Sequence, residues 1–308
     1  MNRFIRLRLL AMLLCLPFLL IFISGCGFSS QKKDEPPVYS PLQVLVPEAT
    51  GKATLGSSPM ILDVSNISQG YFIVQSDSSD LACSLQIISP SGVLYSYFIA
   101  PGESATITFT EGSGDYTITG YQQVQGDQYA ALYSETVTVQ LENDFLPFLY
   151  PNQYVNFTPD SKASQLALSM IDEDTVDVDA LQQIYDYVVS NLTYDYEKAD
   201  TVTTGYLPDI DETLKTGTGI CFDYAALTTA MLRSCDIPCK LQIGYAGDIK
   251  HAWIDVYIRS KGWVNQAVSF KGDTWTLMDP TFDSNSDDKE AIQDYIGDES
   301  NYTVQFTR

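Results

Sequence analysis

The apolar residues change their period part-way along the chain, and this limits the fold more than any other feature. Between about 51 and 143 they alternate in short runs, at 71–74, 85–88, 93–99, 105–109, 116–118 and 137–141. In Ala105-Thr106-Ile107-Thr108-Phe109-Thr110 one face is apolar and the other is threonine. A period of two belongs to a half-buried strand. Ser89-Pro90-Ser91-Gly92 and Glu111-Gly112-Ser113-Gly114 read as hairpin connections. Strands about ten residues apart predict an antiparallel β-sandwich over 51–146. Its tyrosines could line a ligand surface, but they also suit half-buried strand positions.

A linker at 147–163 carries Pro147, Pro151 and Pro159. Beyond it the period becomes helical. Val178, Leu181, Tyr185, Val188 and Leu192 form one stripe, with Asp177 or Asp179 available as cap. Tyr224, Leu227, Met231 and Cys235 form a second. The stretch 193–207 connects them and could border a cleft. Strands are then expected at 241–245, 251–258 and 275–278, with Asp279-Pro280 ending the last because proline stops a ladder. A final strand is expected near 302–306. The expected class is α+β, with helices packed on an antiparallel sheet over 164–308 and the sandwich ahead of them.

Three residues of this second part sit in settings that suit catalysis. Cys221 follows the loop Thr216-Gly217-Thr218-Gly219 and falls in the first turn of the second helix. Unpaired N–H groups and the positive end of the dipole there favour a thiolate, and a lowered thiol pKa serves a cysteine nucleophile. His251 is the only histidine in the chain, so any imidazole chemistry must use it. It opens a strand, with Trp253 on its own face and Ala252, Ile254, Val256 and Ile258 on the other. Asp279 closes the strand at 275–278. If those two strands are neighbours, carboxylate and imidazole can meet, the carboxylate fixing the ring's tautomer while the other nitrogen faces the thiol. Each residue taken alone has an ordinary structural reading: a buried thiol, a core histidine, a turn aspartate.

The motifs Gly219-x-Cys221-x-x-Tyr224-Ala225, Ile237-Pro238 entering a strand that ends Gly244-Tyr245, His251-Ala252-Trp253, and Trp275-x-x-x-Asp279-Pro280-Thr281 occur in this order. Together they resemble the transglutaminase-like superfamily, which shares the papain-like cysteine-protease fold. The resemblance covers roughly 165–285. It implies Cys221 as nucleophile, His251 as general base and acid, and Asp279 as orienting carboxylate. Tyr224, Trp253 and Gly219 are expected to line the cleft. The segment between His251 and Asp279 departs from the pattern by an extra turn at 269–273. No oxyanion-hole side chain is matched; the backbone N–H of Cys221 is a candidate donor.

The amino terminus reads as a targeting segment. Arg3, Arg6 and Arg8 precede an apolar run at 9–23, and Ile23-Ser24-Gly25-Cys26 looks like a bacterial lipobox. The run of about 15 residues is short for a span, which needs about 20. The expectation is a signal peptide at 1–25, lipid on Cys26, a flexible tether over 26–50 rich in proline and charge, and a protein anchored to the bacterial cell membrane facing outside the cytoplasm. Cleavage would remove those three arginines and no acid, taking the net charge from −22 to −25. That excludes nucleic acid as a partner, since no basic patch offsets it. Four cysteines besides Cys15 and Cys26 exclude a disulfide-rich scaffold. Cys235 and Cys239 lack a second pair or a nearby histidine for zinc, and a bond between them has no support in the sequence. The acidic turn at 282–288 fails the EF-hand pattern, because Asp288 stands where glycine is needed. No metal or cofactor is expected, with calcium only a weak candidate.

The function these features imply is thiol chemistry on amide bonds of peptides or proteins through a thioester, resolved by water in a peptidase or amidase and by an amine in a transglutaminase. Cell-wall-associated peptide or protein is the expected substrate. The alternative is a surface module of the same fold that binds a peptide or cell-wall fragment without turnover.

Overall fold

The computed structural model describes residues 33–271, 274–277 and 302–308, with side chains over 33–265 and 302–308. The first half is a sandwich of two four-stranded antiparallel sheets. Its strands are β1 (Thr54–Ser57), β2 (Met60–Asp63), β3 (Tyr71–Ser76), β4 (Cys83–Ile88), β5 (Leu94–Ile99), β6 (Ser104–Thr108), β7 (Gly114–Gln125) and β8 (Gln128–Val139). The orders are β1-β2-β3-β6 and β5-β4-β7-β8. Leu62, Phe72 and Ile107 from one sheet meet Leu85, Tyr97 and Ile118 from the other in a single core. The alternating pattern is thus the inward face of each sheet.

The second half contains α1 (Lys162–Met170), α2 (Asp177–Asn191), β9 (Thr193–Tyr194), α3 (Tyr196–Thr201), α4 (Ile210–Thr216), β10 (Thr218–Gly219) and α5 (Cys221–Ser234). Five further strands follow: β11 (Cys239–Ala246), β12 (Ile249–Ile258), β13 (Gly262–Lys271), β14 (Thr274–Leu277) and β15 (Tyr302–Thr307). They make one antiparallel sheet in the order β14-β13-β12-β11-β15. Helix α5 packs on β11 and β12, with α1, α2 and α4 around its other sides. Every residue from Asp223 to Ser234 is buried, so the apolar stripe read from the sequence understates it. A helix covered all round is a core helix.

Two expectations are corrected here. The strand at 275–278 is not a neighbour of the His251 strand: β13 lies between β12 and β14. Residues 269–271, read as part of an extra turn, pair in β13 with 274–276. The second correction concerns the tether. From residue 33 onward the chain is packed down rather than free. Pro36, Pro37, Val44 and Leu45 are buried, and Leu42 covers the helical core. Asn143 Nδ2 donates to the Glu35 carbonyl at 2.7 Å, and Ser40 Oγ donates to Glu173. Burying an apolar side chain of this size contributes about 1.5–3 kcal/mol, enough to hold a proline-bearing segment in place.

The described residues form one compact unit. Arg233 and Arg308 tie its two halves. The Arg308 guanidinium sits among the rings of Tyr95, Tyr97, Tyr154 and Phe306, 4.2 Å from the Tyr154 centroid. It donates to Tyr97 Oη at 2.7 Å. Strand β15 is thereby fixed to the sandwich while it pairs with β11. That pairing needs glycine at 244, where a Cβ would stand 1.9 Å from the Thr303 carbonyl oxygen.

Just past α5, Asp236 lies in the left-handed region (φ 58°) and is buried. Burial pushes its carboxyl up to about 7, with the Tyr39 backbone N–H and the Arg259 charge pulling the other way. A carboxyl whose pKa is raised on folding favours the neutral form. Its cost is absent below the unfolded value near 4 and grows as pH rises toward 7. Asp236→Asn keeps a residue that tolerates positive φ and stays neutral. It is expected to match the parent near pH 4 and to gain about 2–4 kcal/mol at pH 8, read from urea unfolding at both pH values. An equal difference at the two would contradict this.

Candidate active site

The loop ahead of Cys221 is built by short-range pairing. Gly217 adopts φ 64° and ends α4. Beyond it β10 pairs in parallel with β9: Thr193 N–H donates to the Gly217 carbonyl at 2.8 Å, and Asp195 N–H to the Gly219 carbonyl at 2.9 Å. Ile220 is extended (φ −98°, ψ 174°), and Cys221 is the first residue of α5. Asp223, three residues into the turn, reaches back to accept from Ile220 N–H at 2.8 Å, one half of a capping box. This aspartate fixes the helix start.

The sulfur of Cys221 is half-buried and lies by the backbone N–H of Ala252, the residue that follows His251 in β12. No direct hydrogen bond joins the Cys221 and His251 side chains among the described residues. His251 is opposite Gly244 on β11. Its ring stacks on Trp253 with centroids 6.1 Å apart and planes 20° apart. Ala252, Ile254, Val256 and Ile258 go into the core shared with α5. Asp279 lies outside the described residues, as do Cys26 and the acidic turn at 282–288.

Burial sets the electrostatics. It lowers the His251 imidazole to about 4. It also raises the Cys221 thiol, with the Ala252 and Phe222 backbone N–H groups opposing and the Asp223 charge adding to the rise. The expected lowered thiol is thus corrected: loss of water outweighs the helix N-terminus. At neutral pH the thiol keeps its proton and the imidazole is neutral, the form that can act as a base.

The expected cleft residues are corrected too. Tyr224 is 1% exposed and belongs to the helical core. Trp253 is 2% exposed, closed over by Tyr302 at 5.3 Å. Gly219 is buried and makes room for Asp223, whose Cβ would lie 2.7 Å from an added methyl. Cys235 and Cys239 are separate buried thiols. What the sequence reading missed is a cluster on Asp223. Lys198 Nζ donates to it at 2.6 Å, Tyr206 Oη donates to its other oxygen, and Lys198 also donates to Tyr206 Oη at 2.7 Å. An acid three residues after the helix cap could have signalled Asp223; nothing marked Lys198 or Tyr206.

Residues 164–280 match the family model of the transglutaminase-like superfamily core. This stretch is a transglutaminase-like domain. The match spans α1 through β14, so it takes in both Cys221 and His251. No curated protein matches the chain. Among solved structures, a candidate cysteine protease from Cytophaga hutchinsonii aligns with 83% of this chain and 84% of its own, at 16% identity and a TM-score of 0.36. Red sea bream transglutaminase aligns over 63% and 47%, at 14% identity and 0.24. A fibronectin type III domain of human collagen α1(XX) aligns over 30% and 90%, at 21% identity and 0.22. Likeness at this level says nothing of activity.

Proposed function

We propose that this chain is a thiol enzyme of acyl-transfer type, acting on amide bonds of peptides or proteins. The observation that carries the reading is Cys221 at the head of α5, its sulfur against the Ala252 N–H beside the one histidine. In the reaction, His251 takes the thiol proton as sulfur attacks the amide carbonyl. The carbonyl oxygen becomes an oxyanion, for which the backbone N–H of Cys221 is the candidate donor. His251 then returns the proton to the leaving nitrogen, the C–N bond breaks and a thioester on Cys221 remains. Water releases an acid; a primary amine releases a new amide. Asp279 is proposed to orient the His251 ring. The expected signal peptide at 1–25 and lipid on Cys26 support an enzyme anchored outside the cytoplasm, with cell-wall-associated peptide as the substrate in reach.

The test is to trap the acyl-enzyme. Incubation with a mixture of peptides, with and without a primary amine, is expected to leave an acyl adduct on the Cys221 peptide in mass spectrometry. Amine incorporation would mark transamidation, and free acid alone would mark hydrolysis. Peptide retention with no adduct under either condition would replace this reading with the binding-only one.

A further inference from the structure

The chemistry above leaves unused an ion pair that ties the segment 195–209 to the start of α5. Asp223 has no exposed side-chain surface, and the Lys198 side chain is 31% exposed. The carboxylate accepts from Lys198 Nζ, Tyr206 Oη and Ile220 N–H. Asp195 holds Lys198 from the other side by accepting its backbone N–H at 2.8 Å, which caps α3. The Tyr206 ring also meets Phe222, the residue between Cys221 and Asp223, at 6.3 Å. A buried carboxylate two residues from a thiol raises the energy of the thiolate unless a cation offsets it. Here the cation is supplied by a different element.

We propose that Lys198 and Asp223 are positioning residues for Cys221: together they fix the loop before the cysteine, and Lys198 offsets part of the charge that Asp223 brings to the sulfur. The proposal rests on the reading of Cys221 as nucleophile. Among the described residues, the other titratable group acting on Cys221 is Tyr194 from β9; His251 of β12 precedes Ala252, whose backbone N–H lies by the sulfur. The two members of the pair act on the thiol with opposite sign. Removing the cation leaves the carboxylate uncompensated and disfavours the thiolate. Removing the carboxylate leaves the cation and favours it.

The test is the pH dependence of Cys221 alkylation by iodoacetamide in the full chain, with the modified peptide identified by mass spectrometry. Lys198→Met is expected to move the midpoint up by about one unit, a roughly tenfold slower reaction at fixed pH. Asp223→Asn is expected to move it down by a similar amount, and Lys198→Arg to restore it. A merely structural role would loosen the loop in both variants, expose the thiol to water and shift both midpoints downward. Shifts of the same sign, or none, overturn the proposal. If Asp223→Asn does not fold, the contrast between Lys198→Met and Lys198→Arg decides. Alkylation needs no substrate. Opposite shifts without any acyl adduct would therefore uphold the pair and remove the catalytic reading; an adduct without the shifts would do the reverse.

Discussion

Cys221→Ala and His251→Ala are each expected to lower turnover of an amide substrate by at least about three orders of magnitude. The double variant is expected to be no worse than either, because a thiol without its base and a base without its thiol are equally idle. The pH profile adds a sharper expectation. The base must be neutral to take the thiol proton, and burial lowers the His251 imidazole to about 4. The acid limb of kcat/KM should then fall near pH 4, with activity level from about 5 to 7. A limb near 6.5 would mean an ordinary solvated imidazole and would contradict the buried ring. Additive losses in the double variant would mean that the two side chains do not work as a unit.

The second large effect concerns Arg233, which has no exposed surface. Its guanidinium meets backbone carbonyls: Cys239 from Nε at 3.0 Å and from a terminal nitrogen at 2.8 Å, with Tyr150 and Arg308 each at 2.8 Å. Burial lowers it to about 10, which leaves it charged at neutral pH. These carbonyls belong to β11, to the linker after the sandwich and to the residue after β15. One side chain of α5 therefore satisfies three segments far apart in sequence. Arg233→Met fills much of the same volume but orphans the Cys239 and Tyr150 carbonyls and removes one of two donors to the Arg308 carbonyl, which also accepts from Leu241 N–H at 3.0 Å. Each buried polar group left unmade costs about 1–3 kcal/mol. A total loss of about 3–5 kcal/mol is expected in urea unfolding. A loss below about 1 kcal/mol would show that water takes over the carbonyls.

Much of this architecture can be read from the sequence where period and turn chemistry agree. Residues 105–109 and 85–88 alternate cleanly between glycine-bearing turns and are strands. Strands β1 and β2 escaped because Gly56 and Pro59 fall where a strand pair looks like a turn. Strand β13 escaped because Asn265, Gln266 and Ser269 break the run from Trp263 to Phe270. Position in the chain gave Cys221 its place at a helix start, since glycine and threonine precede an apolar period. Its ionisation was not legible: burial comes from α1, α4 and β12 closing on α5, which no local pattern records. Lys198 and Asp223 are 25 residues apart, and the β9–β10 pairing helps to bring them together. Residues 33–46 misled through composition, since prolines and charges resemble a linker whether or not Val44 and Leu45 find a surface.

A resting sulfur that keeps its proton has a consequence for survival under oxidising conditions. Peroxide and disulfide exchange consume the anion far faster than the neutral form. A half-buried, protonated Cys221 would remain reduced between encounters with substrate, and would become nucleophilic only as His251 draws the proton away during attack.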